Sequence, residues 1–285
     1  MALEPAQFEV RSNGVVLDGE EAGHGPPIVL LHGLTATRRY VVHGSNALAR
    51  RGYRLVSYDA RGHGRSSPAP EGAGYDYPAL ASDLAAVLDA RLGDEERAVL
   101  AGHSMGAHTL AAYALESPER LAGIAIIGPA NIGVPPAADV LAEWDELADG
   151  LERHGVEGFV AAYDRDLNPE WRDTLLRITR ERLGAHEHPQ AVARALREVP
   201  RSLPFEGLAD LEHLDLHALV VASHDESDPG HPYAVAEAWA QRLPRATLIS
   251  EEEEGRSPLA WQGGRLSREI ASFCERPEVA ARLTA

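Results

Sequence analysis

The chain has 285 residues, of which 44% are hydrophobic, and its 27 basic and 44 acidic residues give a formal net charge of −17 at pH 7. This length and composition fit one globular α/β domain with an insertion, and they exclude a disordered chain. The acidic excess argues against nucleic acid or an anionic membrane surface as a partner, because both repel a negatively charged protein.

The first part of the chain predicts a hairpin followed by a parallel sheet. Two extended runs, Gln7–Arg11 and Val15–Glu20, flank Asn13-Gly14, a dipeptide typical of a tight β-hairpin turn. Strands and helices then alternate in the order strand Ile28–Leu31, helix Val42–Arg51, strand Leu55–Tyr58, helix Pro78–Arg91, strand Ala98–Ala101, helix Met105–Glu116 and strand Gly123–Ile127. Such alternation is typical of a parallel sheet with crossover helices, whose functional groups lie at the carboxyl ends of the strands.

The alternation stops after residue 130. Four helical patterns follow, separated by short loops: Asp139–Arg153, Val156–Tyr163, Glu170–Leu183 and Gln190–Val199. The sheet pattern then returns with strand Leu216–Ser223, helix Tyr233–Leu243, strand Thr247–Ile249 and helix Gly264–Glu275. The sequence therefore predicts a core formed by residues 1–130 and 211–285, with a helical cap over residues 131–210.

Residues 102–106 read Gly-His-Ser-Met-Gly, a Gly-x-Ser-x-Gly motif between a predicted strand and a predicted helix. In that context the motif predicts a nucleophile elbow, a turn so tight that glycines must flank the serine. The hydroxyl of Ser104 would stand above the sheet at a helix N-terminus, where the helix dipole favours developing negative charge. A chance Gly-Ser-Gly loop is the alternative interpretation.

Two further segments accompany this motif. One is the strand ending in His32-Gly33, and the other is the stretch 59–66, which reads Asp-Ala-Arg-Gly-His-Gly-Arg-Ser after a strand. The three segments, in this order and spacing, resemble the α/β-hydrolase superfamily over nearly the whole chain. The resemblance implies an eight-stranded, mostly parallel sheet with helices on both faces. It also implies a serine nucleophile, a carboxylate after a late strand and a histidine after the last strand.

Negative charge that develops on a carbonyl oxygen is stabilised by two backbone N–H groups aimed at it. In the pattern that the chain resembles, these groups belong to Met105, which follows the nucleophile, and to Leu34, which follows the His-Gly pair. Because backbone donors do not depend on side-chain identity, we expect both whatever base operates. His32, His63 and His103 are expected to have structural roles beside the site.

The expected carboxylate falls in residues 220–232. The resemblance favours Asp228, because Asp-Pro-x-x-Pro before a helix is a common form of this loop, and it leaves Asp225 as the runner-up. The alternative is that both are turn residues, since aspartate is common before proline in turns.

The usual histidine is missing from its expected place. Residues 250–264 contain none, and no histidine follows His231 anywhere in the chain. A serine hydroxyl is a weak nucleophile without a base to take its proton. Three explanations stay open: a histidine has migrated in, the site needs only Ser104 and the oxyanion site, or catalysis has been lost and a binding pocket kept. The candidate migrants are His231, His224, His154, His186 and His188. We favour His231, because it shares the loop of the acid.

Several smaller predictions complete this interpretation. We expect the aromatic residues of the cap mainly to pack it, with at least one facing the pocket; they are Trp144, Phe159, Tyr163 and Trp171. His213 and His217 lack the glutamate of a zinc-protease motif, so no metal site is expected there. The acidic run Glu251–Glu254 is expected on a solvated loop. With Cys274 as its one cysteine and no signal-like or membrane-spanning run, the chain is expected to be cytoplasmic.

The leading hypothesis is an α/β-hydrolase fold with a helical cap, acting as a serine hydrolase on a small ester or related carbonyl substrate. Ser104 would attack the carbonyl, Leu34 and Met105 would hold the oxyanion, and Asp228 would orient the base, assigned to His231. The resemblance implies no cofactor, and a serine at the elbow argues against its epoxide hydrolase and haloalkane dehalogenase branches, which use aspartate there. The alternative is a non-hydrolytic or ligand-binding protein of the same fold with an incomplete triad.

Overall fold

A single mixed sheet forms the centre of the structure, a computed structural model that describes residues 4–225, 228–251 and 263–284. Its strands are β1 Ala6–Ser12, β2 Val15–Ala22, β3 Pro27–Leu31, β4 Arg54–Tyr58, β5 Ala98–His103, β6 Leu121–Ile127, β7 His217–Val221 and β8 Arg245–Ile249. The strand order is β1-β2-β4-β3-β5-β6-β7-β8. Only the pairs β1–β2 and β2–β4 are antiparallel among the described strands. The predicted eight-stranded, mostly parallel sheet is therefore confirmed.

The predicted N-terminal hairpin is also confirmed. Ser12 pairs with Val15 across the turn. Both turn residues, Asn13 with φ 45° and Gly14 with φ 81°, have a left-handed backbone. A two-residue turn that matches the twist of antiparallel strands requires this conformation at both positions, and asparagine followed by glycine tolerates it best.

The described helices are α1 Ala47–Arg50, α2 Tyr77–Arg91, α3 Met105–Glu116, α4 Ala138–Tyr163, α5 Arg172–Leu183, α6 Pro189–Glu198, α7 Tyr233–Arg242, α8 Gly263–Cys274 and α9 Pro277–Leu283. The prediction of one helix over Val42–Arg51 is wrong, because a left-handed backbone at His43 (φ 48°) and Gly44 (φ 68°) interrupts it. Helix α9 is absent from the predicted elements. It begins at Pro277, and proline is favoured at the first helical position.

Helices cover both faces of the sheet. On one face α2, α3 and α7 pack against the strands, and Leu84 and Trp239 are fully buried there. On the other face α1, α8 and α9 bury Leu48, Ile270 and Val279. Strands covered on both faces have continuous apolar sequences, as in β6, where every residue is buried. None of the helices in the described ranges is both long and apolar enough to cross a membrane.

Helices α4, α5 and α6 form a helical insertion between β6 and β7. Gly155, with φ 65° and ψ −154°, breaks α4 into two helical segments. The helical insertion has a small core of its own, to which α4, α5 and α6 contribute Phe159, Leu183 and Val192. Leu34, in the loop after β3, packs against this core. The helical insertion therefore covers the loop that follows β3, while the domain bounds at residues 130 and 210 stay a prediction.

Candidate active site

Ser104 occupies a strained turn between β5 and α3. Its backbone has φ 52° and ψ −115°, a conformation that residues with side chains rarely adopt. The flanking glycines are required, because a Cβ on Gly102 would lie 2.4 Å from the backbone of Gly106. A Cβ on Gly106 would lie 2.2 Å from the carbonyl oxygen of Leu31. The Ser104 N–H donates to the carbonyl of Ile127 at 3.0 Å, which ties this elbow to β6.

The loop after β3 lies directly against the elbow. A Cβ on Gly33 would be 2.8 Å from Nδ1 of His103 and 3.3 Å from Cβ of Ser104. The loop is held from the other side by His32, whose Nε2 accepts a hydrogen bond from the backbone N–H of Ala60 at 2.9 Å. His32 thus has the structural role that the sequence predicts, and the residue after Gly33 is placed beside the serine.

Two backbone N–H groups, on the residues that directly follow Gly33 and Ser104, donate no hydrogen bond to any of the described residues. They belong to Leu34 and Met105. Met105 is the first residue of α3, so its N–H has no acceptor within the helix. Free N–H groups at a helix N-terminus are suited to bind a developing oxyanion, because the helix dipole adds to their partial charge.

Asp228 and His231 are joined on the loop between β7 and α7. Nδ1 of His231 lies 2.9 and 2.8 Å from the two carboxylate oxygens of Asp228. An ionised carboxylate only accepts hydrogen bonds, so Nδ1 of His231 carries a proton, and in the neutral form of the ring the lone pair is on Nε2. Burial opposes ionisation of Asp228, but the charge and hydrogen bond of His231 outweigh it and hold the pKa of Asp228 below its ordinary value. The runner-up Asp225 donates its backbone N–H to the hydroxyl of Ser223.

His231 lies next to the elbow. Its Cβ and Cγ, and also Nε2 of His103, come within 3.5 Å of the position that a Cβ on Gly128 would take. The ring centroids of His103 and His231 are 5.0 Å apart. Gly128 directly follows Ile127, the residue whose carbonyl binds Ser104. Burial and the charge of His231 lower the pKa of His103 to about 3, so the imidazole beside His231 is neutral.

The Ser104 hydroxyl makes no hydrogen bond with any of the described residues. Within the described ranges, the pair of Asp228 and His231 is therefore not joined to the serine by a hydrogen bond. Residues 252–262, which hold most of the stretch where a histidine is expected, lie outside the described residues.

The other candidate histidines are placed less favourably. Both ring nitrogens of His186 are engaged, Nδ1 by the N–H of Gly64 at 2.8 Å and Nε2 by the carbonyl of Thr35 at 2.9 Å. The ring of His224 stacks on Tyr233 with centroids 4.1 Å apart. His154 is exposed on α4, and His188 precedes α6. Among the described residues no group of three side chains is arranged to hold a metal ion.

Glu251 is buried in the structure, whereas the sequence predicts that it is solvated. The prediction of a solvated loop is wrong for this residue, which is only 3% exposed. It accepts hydrogen bonds from the hydroxyl of Ser223 at 2.8 Å and from the backbone N–H of His224. These donors replace water, so the carboxylate is satisfied while buried. Glu251 therefore anchors the start of the loop that carries Asp228. Its place directly after a sheet strand is the signal that could have indicated this role.

The four aromatic residues of the helical insertion have different positions. They are Trp144, Phe159, Tyr163 and Trp171. Phe159 is buried in the core of the insertion, and Trp144 packs against that core. Tyr163 is half-buried at the end of α4, 6.1 Å from the ring of Phe159. Burial raises the pKa of Tyr163, and the charge of Arg182 partly offsets this rise while that of Asp228 adds to it. Tyr163 is thus within electrostatic range of the loop that carries Asp228.

Comparisons with known proteins agree on the fold. A family model described as alpha/beta hydrolase fold matches residues 26–261. AB hydrolase superfamily protein YisY of Bacillus subtilis is 41% identical over 92 residues, which cover 32% of this chain and 33% of that protein. An epoxide hydrolase of Caballeronia sordidicola is 34% identical over 118 residues, which cover 41% of this chain and 35% of that protein. The chain thus spans about a third of the length of these two relatives.

A solved structure covers nearly the whole chain. A thermophilic esterase from Thermogutta terrifontis superposes with a TM-score of 0.76 and 23% sequence identity, over 95% of this chain and 98% of that one. At this level of identity the similarity is one of fold.

Proposed function

The chain belongs to the alpha/beta hydrolase fold family, and from this premise we propose that it is a serine hydrolase acting on a small ester or related carbonyl substrate. The observation that carries the proposal is the hydrogen bond of 2.8 Å between Nδ1 of His231 and the carboxylate of Asp228. This pair lies on a loop that reaches the elbow of Ser104. It supplies an oriented base in a chain that has no histidine after β8.

In the proposed reaction, Oγ of Ser104 attacks the carbonyl carbon while Nε2 of His231 takes the hydroxyl proton. The N–H groups of Leu34 and Met105 stabilise the negative oxygen of the tetrahedral intermediate. The ester C–O bond then breaks, His231 gives its proton to the leaving alkoxide, and the acyl group stays on Ser104. Water attacks this acyl group, His231 takes one proton from it and returns a proton to Ser104, and the carboxylic acid leaves.

Asp228 would hold the base in its working tautomer. Its carboxylate accepts the Nδ1 proton of His231, which leaves the lone pair on the nitrogen that must accept a proton. The lowered pKa of Asp228 keeps the carboxylate ionised, so it stabilises the imidazolium that forms during the reaction. The relative named epoxide hydrolase does not change the proposal, because the elbow residue of this chain is serine.

The test compares the parent chain with Ser104→Ala, His231→Ala and His224→Ala on activated aryl esters and with a fluorophosphonate probe. Loss of the nucleophile or of the base in a serine hydrolase lowers kcat by a factor of about 10³ or more. We expect that loss in the first two variants and near-parental rates in His224→Ala. His224 is the matched control because it lies on the same loop as His231, with its ring stacked on Tyr233. Activity lost only in Ser104→Ala would contradict the assignment of His231.

A ligand-binding or otherwise non-hydrolytic protein of this fold is the second candidate. One observation favours it: within the described residues the Ser104 hydroxyl lacks a hydrogen-bond partner, whereas a nucleophile needs a base in reach. The fluorophosphonate experiment separates the two candidates, since the probe labels only an activated serine. If the parent chain takes up no label, the hydrolase proposal fails and the second candidate stands.

A further inference from the structure

Arg182 is partly buried and has no partner among the described residues. It lies in the last turn of α5, and its Nε atom is buried without a hydrogen bond. Its guanidinium forms no ion pair or hydrogen bond with any of the described residues. Arg180, two residues earlier, shows the usual arrangement, with bonds of 2.8 and 2.9 Å to the carboxylate of Glu157. A partly buried guanidinium without such a partner is costly, unless a ligand supplies the acceptor.

The end of α5 is fixed beside the proposed oxyanion site. Four residues after Arg182 and beyond the end of α5, His186 donates a hydrogen bond to the carbonyl of Thr35 at 2.9 Å and accepts one from the N–H of Gly64 at 2.8 Å. Thr35 directly follows Leu34, the proposed oxyanion donor. The contact therefore joins the end of α5 to the loop that carries Leu34.

The groups around Arg182 are polar and mostly uncommitted. Burial lowers the pKa of Arg182, and the charges of Tyr163, Asp228 and Tyr40 raise it. The carboxylate of Asp228 forms its ion pair with His231 instead. The hydroxyls of Tyr40 and Tyr163 have no hydrogen-bond partner among the described residues. Within the described ranges, Arg182 and the two hydroxyls in its electrostatic range therefore have no hydrogen-bond partner.

From this arrangement we infer that Arg182 binds a second, non-reacting carboxylate of the substrate, with the hydroxyls of Tyr40 and Tyr163 as further donors. Guanidinium is the side chain best matched to a carboxylate, because its N–H groups bind both oxygens at once. The proposal rests on the proposed function of Ser104, and it narrows the substrate class to esters of a dicarboxylic acid or similar carboxylate-bearing acyl esters. An overall charge of −17 repels such anions, so a local cation is needed to hold them.

The kinetic test uses two esters of matched length, mono(para-nitrophenyl) glutarate and para-nitrophenyl pentanoate. The first carries a free carboxylate, and the second ends in a methyl group. We expect the ratio of kcat/KM for the anionic to the neutral ester to fall about 10- to 100-fold in Arg182→Gln, since one charged hydrogen-bonded contact is lost. Arg182→Lys should restore part of the ratio, and the matched control Arg180→Gln should keep it. An unchanged ratio in Arg182→Gln overturns the inference.

A binding measurement separates this inference from the proposed function. Calorimetry with free glutarate on the Ser104→Ala background needs no catalysis. Binding that weakens about 10- to 100-fold when Arg182→Gln is added, and that Arg180→Gln leaves unchanged, supports the carboxylate site even if no ester is hydrolysed. Glutarate binding that is equal with and without Arg182→Gln overturns the carboxylate site, whatever the fluorophosphonate probe shows. Circular dichroism of each variant checks that the chain is folded.

Discussion

The elbow and the loop between β7 and α7 lie side by side but are built by different means. The elbow is fixed by backbone sterics: Ser104 has φ 52°, and a Cβ on either flanking glycine would overlap the backbone. The loop of Asp228 and His231 is held by hydrogen bonds of its side chains and of its backbone, and the side chains of Asp228 and His231 are 48% and 19% exposed. Backbone geometry thus confines Ser104 to one position. A histidine held by hydrogen bonds is less confined, and it could act from any position from which a ring nitrogen reaches the serine.

The largest expected effect on activity comes from Asp228→Asn, which changes a side chain of the loop and leaves the elbow intact. An amide in place of the carboxylate no longer imposes the tautomer with Nδ1 protonated, so the lone pair of His231 turns away from Ser104. We expect ester hydrolysis to fall by a factor of about 10³ to 10⁴ with little change in fold, measured as kcat on an activated aryl ester. Asp225→Asn is the matched control on the same loop and should stay near the parental rate. The reverse ranking of these two variants would show that Asp225 is the acid.

A backbone change at the elbow should act on stability as well as on activity. In Gly106→Ala the new Cβ would lie 2.2 Å from the carbonyl oxygen of Leu31, so α3 must move away from β3. We expect the free energy of unfolding to fall by about 3 kcal/mol, measured by urea denaturation. The matched control is Gly264→Ala in α8, where a Cβ meets no atom within 4 Å. That variant should gain up to about 1 kcal/mol; equal effects in the two would refute the steric argument.

Acid should weaken the supports of α3 and of the helical insertion, because His108 and His186 are buried there and act as acceptors. Nε2 of His108 accepts from the N–H groups of Ala130 and Asn131, and Nδ1 of His186 accepts from that of Gly64. Burial lowers the pKa of His108 to about 3 and that of His186 to about 4. Below the ordinary histidine value of about 6.5, the unfolded chain therefore binds protons that the folded chain does not.

The free energy of unfolding is then largest above about pH 6.5 and falls as the pH drops toward those lowered values. Each of the two histidines contributes a loss of up to about 1.4 kcal/mol per pH unit. Urea denaturation at a series of pH values measures the slope. His186→Gln should lower this slope by the contribution of about one proton, because an amide does not titrate. A slope that is the same in this variant would mean that His186 is already charged in the folded protein.

The smallest expected effect comes from Glu251→Gln, which changes the anchor of the acid–base loop and leaves Asp228 intact. The neutral amide gives weaker bonds to Ser223 and His224, so we expect the free energy of unfolding to fall by about 1 to 2 kcal/mol. Thermal unfolding measures this loss. Glu237→Gln on the exposed face of α7 is the control and should leave the melting temperature unchanged. A stable Glu251→Gln would mean that the buried carboxylate does not hold the loop.

Features that depend on neighbouring residues could be predicted from the sequence. The hairpin follows from Asn13-Gly14, and the strand–turn–helix around Ser104 follows from its two glycines, because each pattern allows few backbone conformations. The helix predicted over Val42–Arg51 could not be corrected in this way. Its break rests on a left-handed backbone at His43 and Gly44, and at His43 this conformation is uncommon for a residue with a side chain.

The candidate site could be predicted only where its parts are close in sequence. The hydrogen bond between Asp228 and His231 spans three residues, and the spacing already placed both on one loop. The contact of Glu251 with Ser223 spans 28 residues, and the contact of His186 with Thr35 spans 151. Neither contact has a local sequence pattern. The sequence therefore predicts a solvated position for Glu251, and it does not indicate Arg182 as a site residue.

The attachment of His186 has a mechanical consequence for the helical insertion. A body joined to a frame only where its chain enters and leaves can rotate about the line through those two points. The turn after α5 adds a fastening away from that line, since His186 binds Thr35 and Gly64 and the N–H of Glu187 donates to the carbonyl of Gly64 at 2.9 Å. Helix α6 adds another, because Glu198 accepts a hydrogen bond from the N–H of Tyr75 at 2.9 Å. These fastenings remove the rotation. In the proposed reaction, substrate and product would then pass along the side of the insertion, through movements of single side chains and helix ends, while its helices stay in place.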